Sequence, residues 1–207
     1  MGLPQPRADE EFPPVASLLA ENERLKRELA VARARIGELE ARADVDPLLH
    51  ILNRRGFERE LARARAHVKR YGTQAVLLFI DLDGFKAVND RYGHGVGDAL
   101  LKAVARELVS HVRASDVVGR LGGDEFGVLI WRADELQAAA KARELEALIA
   151  RIAIPHGQAQ VQVGASAGVA PVVADATAIQ TIAAADRAMY ARKEERRGLP
   201  PAVKWGD

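Results

Sequence analysis

Four carboxylates fall where two segments of the chain could bring them together. Asp81 and Asp83 close the apolar run QAVLLFIDLD, and Asp124 and Glu125 follow Gly122-Gly123 in RLGGDEFGVLI. Two residues apart on a strand, Asp81 and Asp83 face the same way. Acids at a strand end and at a neighbouring hairpin tip can converge into a hard-oxygen site. Such a site suits Mg²⁺, which takes one or two carboxylates and completes its shell with water and phosphate oxygens. Each acidic pair taken alone also has a plain reading, because surface turns are rich in Asp and Glu. Gly122-Gly123 has two readings as well. Glycine can supply the positive φ of a tight turn, or its missing side chain can let a phosphate or ribose lie against backbone.

Other residues carry charge at useful spacings. Lys86 and Asn89 are three apart in GFKAVNDRYG, a short helical stretch, and share a face. Lys86 lies one turn from the helix start, near the strand-end acids, where an ammonium offsets phosphate charge. Asp98 opens the next helix. The helix dipole alone favours an acid there. A carboxylate can also accept from the N1–H and N2–H₂ donors of guanine, a pair that adenine lacks. Lys193 and Arg197 are four apart on the last helix. They form either a solvated basic turn or a clamp for terminal phosphates.

These residues need elements to hold them. The chain has 207 residues, which is one ordinary domain plus a short addition. Its 30 Lys+Arg against 29 Asp+Glu give a net charge of +1, so no whole-chain field draws in nucleic acid or an anionic membrane. An anionic ligand must be held locally. With 48% hydrophobic residues the chain can pack a core, and with 5% aromatics that core must be filled by Ala, Val, Leu and Ile. The absence of Cys excludes a disulfide scaffold, a Cys-ligated zinc site and a thiol nucleophile. The start, MGLPQPRADEEFPP, has acids and prolines where a signal peptide has basic and then apolar residues. Pro6 stands where a myristoylation signal has Ser or Thr. No uninterrupted apolar run reaches membrane-spanning length. The expectation is a cytoplasmic protein without membrane insertion or nucleic-acid binding.

The chain divides near residue 46. Residues 1–14 are polar and proline-broken and are expected to be disordered. From Val15 a 3,4 spacing runs through Leu18, Asn22, Leu25, Leu29, Ala32, Ile36, Leu39 and Ala43. That is a heptad seam, and 15–45 is read as a coiled-coil dimerisation helix. In a parallel pair Glu21 would meet Lys26 of the second chain, Glu28 would meet Arg33, and Arg35 would meet Glu40, all complementary. Asn22 on the seam favours two strands in register. The competing reading is a lone amphipathic helix lying on its own domain. Residues 46–199 read as a compact α/β domain. Its predicted order is a helix from Asn53, the QAVLLFIDLD strand, the short helix, and a longer helix over GVGDALLKAVARELVSHVR. A hairpin about Gly122-Gly123, a long helix from Ala133, one strand over QAQVQVGASAGVAP and a final helix follow. Residues 200–207 form a tail, with Trp205 read as a packing residue.

At this point several segments together resemble a known family. LGGDEFGVLI contains the signature GGDEF. IDLDGFKAVNDRYGHGVGDALL is similar to the D-x-D-x-F-K-x-x-N-D…G-H-x-x-G-D-x-x-L block of the same family. DPLLHILNRRGF resembles its D-x-L-T-G-L-x-N-R-R opening, and ADRAMYARKEERR its A-D-x-A-L-Y-x-A-K-x-x-G-R ending. Four motifs in order cover residues 46 to about 198, and the family is the GGDEF-domain diguanylate cyclases. The resemblance implies an α+β sandwich of palm-like nucleotidyl-cyclase type, with a central, mostly antiparallel sheet flanked by helices. It implies that Asp81, Glu125 and Asp124, with the Leu82 carbonyl, hold Mg²⁺ or Mn²⁺. It implies that Asn89 and Asp98 read guanine, that Lys86, Lys193 and Arg197 contact phosphate, and that Gly122 and Gly123 admit the nucleotide. Asp124, Glu125 and Lys86 make up the catalytic set, and His94 fixes its loop.

Two departures stand out. Leu49 and His50 replace the usual Thr and Gly of the opening, and Arg196 and Gly198 replace the usual Gly and Asn beside Arg197. Arg113-Ala-Ser-Asp116 is an R-x-x-D motif, with Asp116 six residues before Gly122, the family's spacing for an inhibitory product site. Arginine can fork onto guanine O6 and N7, although a helix-end arginine and a loop acid are also common features. The implied reaction joins two GTP molecules into cyclic di-GMP and releases two pyrophosphates. Each domain supplies half a site, so a homodimer through the parallel coiled coil is implied, with cyclic di-GMP as product and inhibitor. The alternatives are a silent receptor that binds GTP or cyclic di-GMP, and a dimerisation module with a passenger domain.

Overall fold

A computed structural model describes residues 15–42 and 44–198. The disorder expected for residues 1–14, the tail at 200–207 with Trp205, and the last seam position at Ala43 lie outside the described residues. The chain forms two compact units, parted between Ala43 and Asp44.

The first unit contains a single helix, α1 (Val15–Arg42). Its seam residues Leu18, Leu25 and Leu29 are exposed in the single chain. Glu21 and Glu28 both pair with Arg24 along the helix, and Lys26 pairs with Glu23. Of the charges matched across a dimer, Glu21, Lys26 and Glu28 are thus engaged within one helix, at three- and four-residue spacings that bring side chains together on any helix.

The second unit is an α+β sandwich. Its sheet has strand order β2-β3-β1-β6, with β1 (Ala75–Asp83), β2 (Val117–Arg120), β3 (Glu125–Trp131) and β6 (Gly164–Pro171). Every adjacent pair is antiparallel. The central strand β1 is apolar on both faces because helices cover both. Val76, Leu78, Ile80 and Leu82 join one core cluster, which holds α3 (Phe85–Tyr92), α4 (His94–Ser110) and α5 (Glu135–Ile149). Leu77 and Phe79 join the other, against α2 (Arg54–Tyr71) and α6 (Ala178–Gly198). The alternation follows the strand's period of two.

Local signals set the helix ends. The Asn53 side chain accepts from the Gly56 amide at the start of α2, and Gly72 ends that helix at φ 66°. Asp134 and Gln137 form a reciprocal capping box on α5. Asp98, expected to open α4, stands instead in its second turn, because the helix begins at His94 behind Gly93. The single strand expected over QAQVQVGASAGVAP is divided. Its first part, β5 (Ala159–Val161), pairs with β4 (Ile154–His156) in a separate two-stranded ribbon, and only β6 joins the main sheet. Gly157, at φ 61°, makes the turn between β4 and β5.

One contact governs where the last helix lies. Gly168 on β6 has no room for a side chain: a Cβ there would collide with the Ala185 carbonyl and the Met189 amide of α6. The helix backbone therefore rests directly on the sheet, and Lys193 follows Met189 by one turn.

Candidate functional site

The acids meet where β1 and β3 lie side by side. Asp81 is the cross-strand partner of Glu125. The pairing continues one step further, with the Leu82 amide donating to the Asp124 carbonyl at 3.2 Å. On the other side of β1, Asp83 accepts from the Ser166 hydroxyl at 3.1 and 3.2 Å. Lys193 reaches in from α6 and forms ion pairs with both Asp81 and Asp83, the second at 2.8 Å. The shared face of Asp81 and Asp83 is thus occupied by one ammonium. Lys193 serves the carboxylates.

The electrostatics separate these acids into two groups. Burial pushes the Asp124 carboxyl up, and the charge of Asp81 pushes it further, against the pull of Lys193 and Arg120. Glu125 is raised by burial and then by the charges of Asp124, Asp186 and Asp81, with Arg54 offsetting only part. Burial pulls Lys193 down, but its hydrogen bonds to Asp81 and Asp83 and their charges outweigh that and leave it raised. Asp81 and Asp83 have a counter-ion. Asp124 and Glu125 carry an excess of negative charge that the chain's own cations do not cancel.

The glycines act through space. Neither Gly122 nor Gly123 has positive φ, so the turn, which runs from Leu121 to Asp124, draws on neither glycine for a left-handed conformation. A Cβ on Gly122 would strike the Glu125 carboxylate, whereas a Cβ on Gly123 would meet nothing within 4 Å. Gly122 makes room for Glu125, and Gly123 leaves its outer side open. Arg120 holds this loop from beneath. Its Nε donates to the Gly122 and Gly123 carbonyls at 3.0 and 3.1 Å, its Nη2 to Gly123 at 2.7 Å, and its Nη1 to Asp46 at 3.1 Å. Arg54 donates to the Leu121 carbonyl at 3.2 Å.

The remaining expected residues are distributed around this cluster. Lys86 is exposed on α3, and among the described residues its ammonium has no ion pair. Asn89, on the same helix, packs against Gly97, and its buried Oδ1 has no hydrogen-bond partner. An unpaired buried acceptor is costly, and it suits a position that waits for a ligand donor. Asp98 is exposed on α4. Arg197 lies in the last turn of α6, but its side chain is outside those described. Arg113 and Asp116 stand apart from the acid cluster, beside a cleft of about 660 Å³.

Several residues of this region escaped the sequence reading. Asp186 adds to the charge on Glu125. Its seven-residue spacing from Lys193, two helix turns, was a usable signal. Arg54 and Arg120 have no local signal, because their partners lie on other segments. Glu146 is only 8% exposed on α5. It accepts from the Ala167 amide at 2.8 Å, while Arg192 donates to the Ala167 carbonyl at 2.7 Å and pairs with Glu146 at 3.5 Å. Together they satisfy the outer edge of β6 and tie α5, α6 and the sheet together one residue before Lys193.

The donor set for a cation consists of oxygens alone. Among the described residues no three acids or histidines already converge as a metal cluster. The uncancelled charge on Asp124 and Glu125, next to Asp81 and the Leu82 backbone, is nevertheless what a hard divalent ion complements, so these residues fit one.

Comparison with known proteins bears on the family and the fold. The family model described as the diguanylate cyclase GGDEF domain matches residues 43–198. The chain is 41% identical over 155 residues to MucR of Pseudomonas aeruginosa, a bifunctional diguanylate cyclase/cyclic di-GMP phosphodiesterase, covering 73% of this chain but 22% of MucR. A sensory box/GGDEF family protein from Caulobacter crescentus is 39% identical, with a TM-score of 0.68 over 74% of this chain and 99% of that one. The coiled coil and GGDEF domain of DgcB from Caulobacter crescentus, solved with c-di-GMP, is 26% identical with a TM-score of 0.69, covering 86% of this chain and 95% of that one.

Proposed function

The chain belongs to the GGDEF-domain family of diguanylate cyclases, and on that premise we propose that it condenses two GTP molecules into one cyclic di-GMP and two pyrophosphates. The observation that carries the reading is the acid cluster at the β1–β3 junction, where burial and mutual repulsion raise Asp124 and Glu125 while Lys193 neutralises Asp81 and Asp83. An undamaged signature with a cation-seeking pair at its centre supports synthesis over a silent receptor.

Asp81, Asp124, Glu125 and the Leu82 carbonyl would hold Mg²⁺ or Mn²⁺. When bound, a divalent ion would lower the pKa of the attacking hydroxyl and offset charge on the phosphoryl oxygens. Asn89 and Asp98 read the guanine edge, with the unpaired Oδ1 of Asn89 as the ready acceptor. The open side of Gly123 lets the nucleotide approach the loop, and Arg120 keeps that loop from collapsing. Lys86, Lys193 and Arg197 take the phosphates. Lys193, now paired with Asp81 and Asp83, would turn to phosphate oxygens once those carboxylates have another counter-charge.

In each half-reaction the 3′-hydroxyl of one GTP attacks the α-phosphate of the other, a new P–O bond forms, and the bond to the β-phosphate breaks with loss of pyrophosphate. One domain supplies one GTP, so two domains must face each other, and α1 raises the concentration of one beside the other through a parallel coiled coil of residues 15–45. The R-x-x-D pair Arg113 and Asp116 binds the product and restrains synthesis.

Incubating the chain with GTP and Mg²⁺ and separating the nucleotides tests this. Cyclic di-GMP and pyrophosphate in a 1:2 ratio is the expected result. Nucleotide binding without product would make the protein a receptor, and neither binding nor product would make the domain a passenger.

A further inference from the structure

The turn that opens the second unit is built as a rigid wall. Asp46, itself buried, accepts from the Leu48 and Leu49 amides, each at 2.9 Å, and its carbonyl accepts from the His50 amide at 2.9 Å. Arg120 holds the other carboxylate oxygen at 3.1 Å. His50 is fixed there at φ 56°, in the left-handed region that a non-glycine residue rarely occupies. Strained backbone of this kind persists where the surroundings enforce it, and it gathers at functional sites. Leu49 and His50 are also the two residues that depart from the Thr and Gly of the family's opening. This chain places an apolar side chain and an imidazole where that pattern has a hydroxyl and a hydrogen.

Both residues line a cleft of about 690 Å³ bounded by this turn, α4 and β4. Its floor is apolar, made by buried Leu49 with half-buried Leu48 and Ile154. Exposed Pro47 and Pro155 extend the apolar surface to the rim. The titratable groups of the lining are His50, Lys102 and Arg106, and no acid is among them. Lys102 and Arg106 are exposed and four apart on α4, so they share a face. Among the described residues neither side chain has an ion pair or a hydrogen bond. The cleft shares no lining residue with the acid cluster or with the cleft beside Arg113 and Asp116.

Charge and polarity together select the occupant. Two rim cations without a counter-ion call for carboxylates, and the floor calls for an apolar side chain. The exposed rim decides between a small molecule and a chain segment. A small molecule is held by burying most of its surface, and a trough open on one side leaves part of that surface wet. A peptide needs to bury only an anchor, with its charged neighbours left at the rim. We propose that this cleft docks an acidic segment of a partner protein. One apolar anchor sits on Leu48, Leu49 and Ile154, and flanking Asp or Glu side chains meet Lys102 and Arg106. The preformed turn reduces the ordering that binding demands. The bound segment bridges that turn to α4, the helix that carries Asp98.

The test presents the full chain with a synthetic peptide array in which Leu, Ile, Phe or Trp is flanked on both sides by Asp or Glu. Matched copies carry Ala for the anchor or Lys for the acids, and fluorescence anisotropy measures the peptides that bind. Anchored acidic peptides should bind, and Ala at the anchor should weaken them about tenfold. Lys102→Glu combined with Arg106→Glu should weaken them on the order of a hundredfold. The same variant should take the Lys-bearing copies better than the parent does. Both side chains are exposed, so melting of the variant should match the parent and serves as the folding control. Four results overturn the proposal: no array peptide binds above its Ala and Lys copies; binding is indifferent to the anchor; the charge-reversed variant binds like the parent; or the parent prefers phosphatidylglycerol vesicles to every peptide. Loss of molar mass by the charge-reversed variant in light scattering would also overturn it, and would give the cleft to a second copy of this chain.

Discussion

Asp124 and Glu125 are held in surroundings that suit a cation and disfavour their charged forms. Burial first, and then neighbouring carboxylates, raise both groups from their ordinary values. The sign follows from linkage. A carboxylate raised by folding costs nothing below its unfolded pKa, and the cost grows as pH rises through the folded value. Asp124→Asn and Glu125→Gln should therefore each raise the melting midpoint of the metal-free protein at pH 7, by about 2 °C. The gain should vanish below about pH 4, where ordinary carboxylates are protonated as well. Both variants should lose metal-dependent synthesis. Melting curves at the two pH values, with a turnover assay, check this. A second residue-scale prediction concerns His50, at φ 56° where the family has glycine. His50→Gly removes the left-handed strain at some entropic cost, for a net gain of up to about 1 kcal/mol in denaturant unfolding. At this scale the sequence was informative where periodicity decides. The common face of Asp81 and Asp83 follows from strand geometry, and Lys193 confirms it by touching both. At Gly122-Gly123 the sequence left two readings open, and the choice falls to tertiary contacts: the Glu125 side chain beside Gly122 and the open space beside Gly123.

Among the elements, α6 does the most to shape the site. Gly168 lets its backbone rest on β6, and the Glu146–Arg192 pair fixes its roll. Lys193 then arrives at Asp81 and Asp83 from 112 and 110 residues away along the chain. Arg192→Met removes the ion-pair partner of the buried Glu146 carboxylate and should cost about 2 kcal/mol of stability. Adding Glu146→Gln should recover part of that loss, because the amide can still accept from Ala167 without carrying charge. Chemical denaturation of the single and double variants measures both effects. Elements with a strong period were legible from sequence: β1 as a doubly covered strand, the helices α2 to α6, and the β2–β3 hairpin. The β4–β5 ribbon was not, because its strands are only three residues long and mostly exposed. Nor were the roles of Glu146 and Arg192, whose partners are set by tertiary packing alone.

On the scale of the molecule, one unit carries the chemistry and the other carries an exposed apolar seam. None of the described helices is long and apolar enough to cross a membrane, and Leu18, Leu25 and Leu29 face outward in the single chain. A second copy laid along α1 would cover them and hold two half-sites near each other. Synthesis should then depend on assembly, and the direct measurement is molar mass by light scattering together with turnover per chain over a dilution series, for the parent and for Leu25→Pro. Turnover per chain should fall in step with the dimer fraction. Leu25→Pro should be monomeric and inactive at concentrations where the parent is active, while still binding a non-hydrolysable GTP analogue. Undiminished turnover per chain in a solution shown to be monomeric would contradict the account.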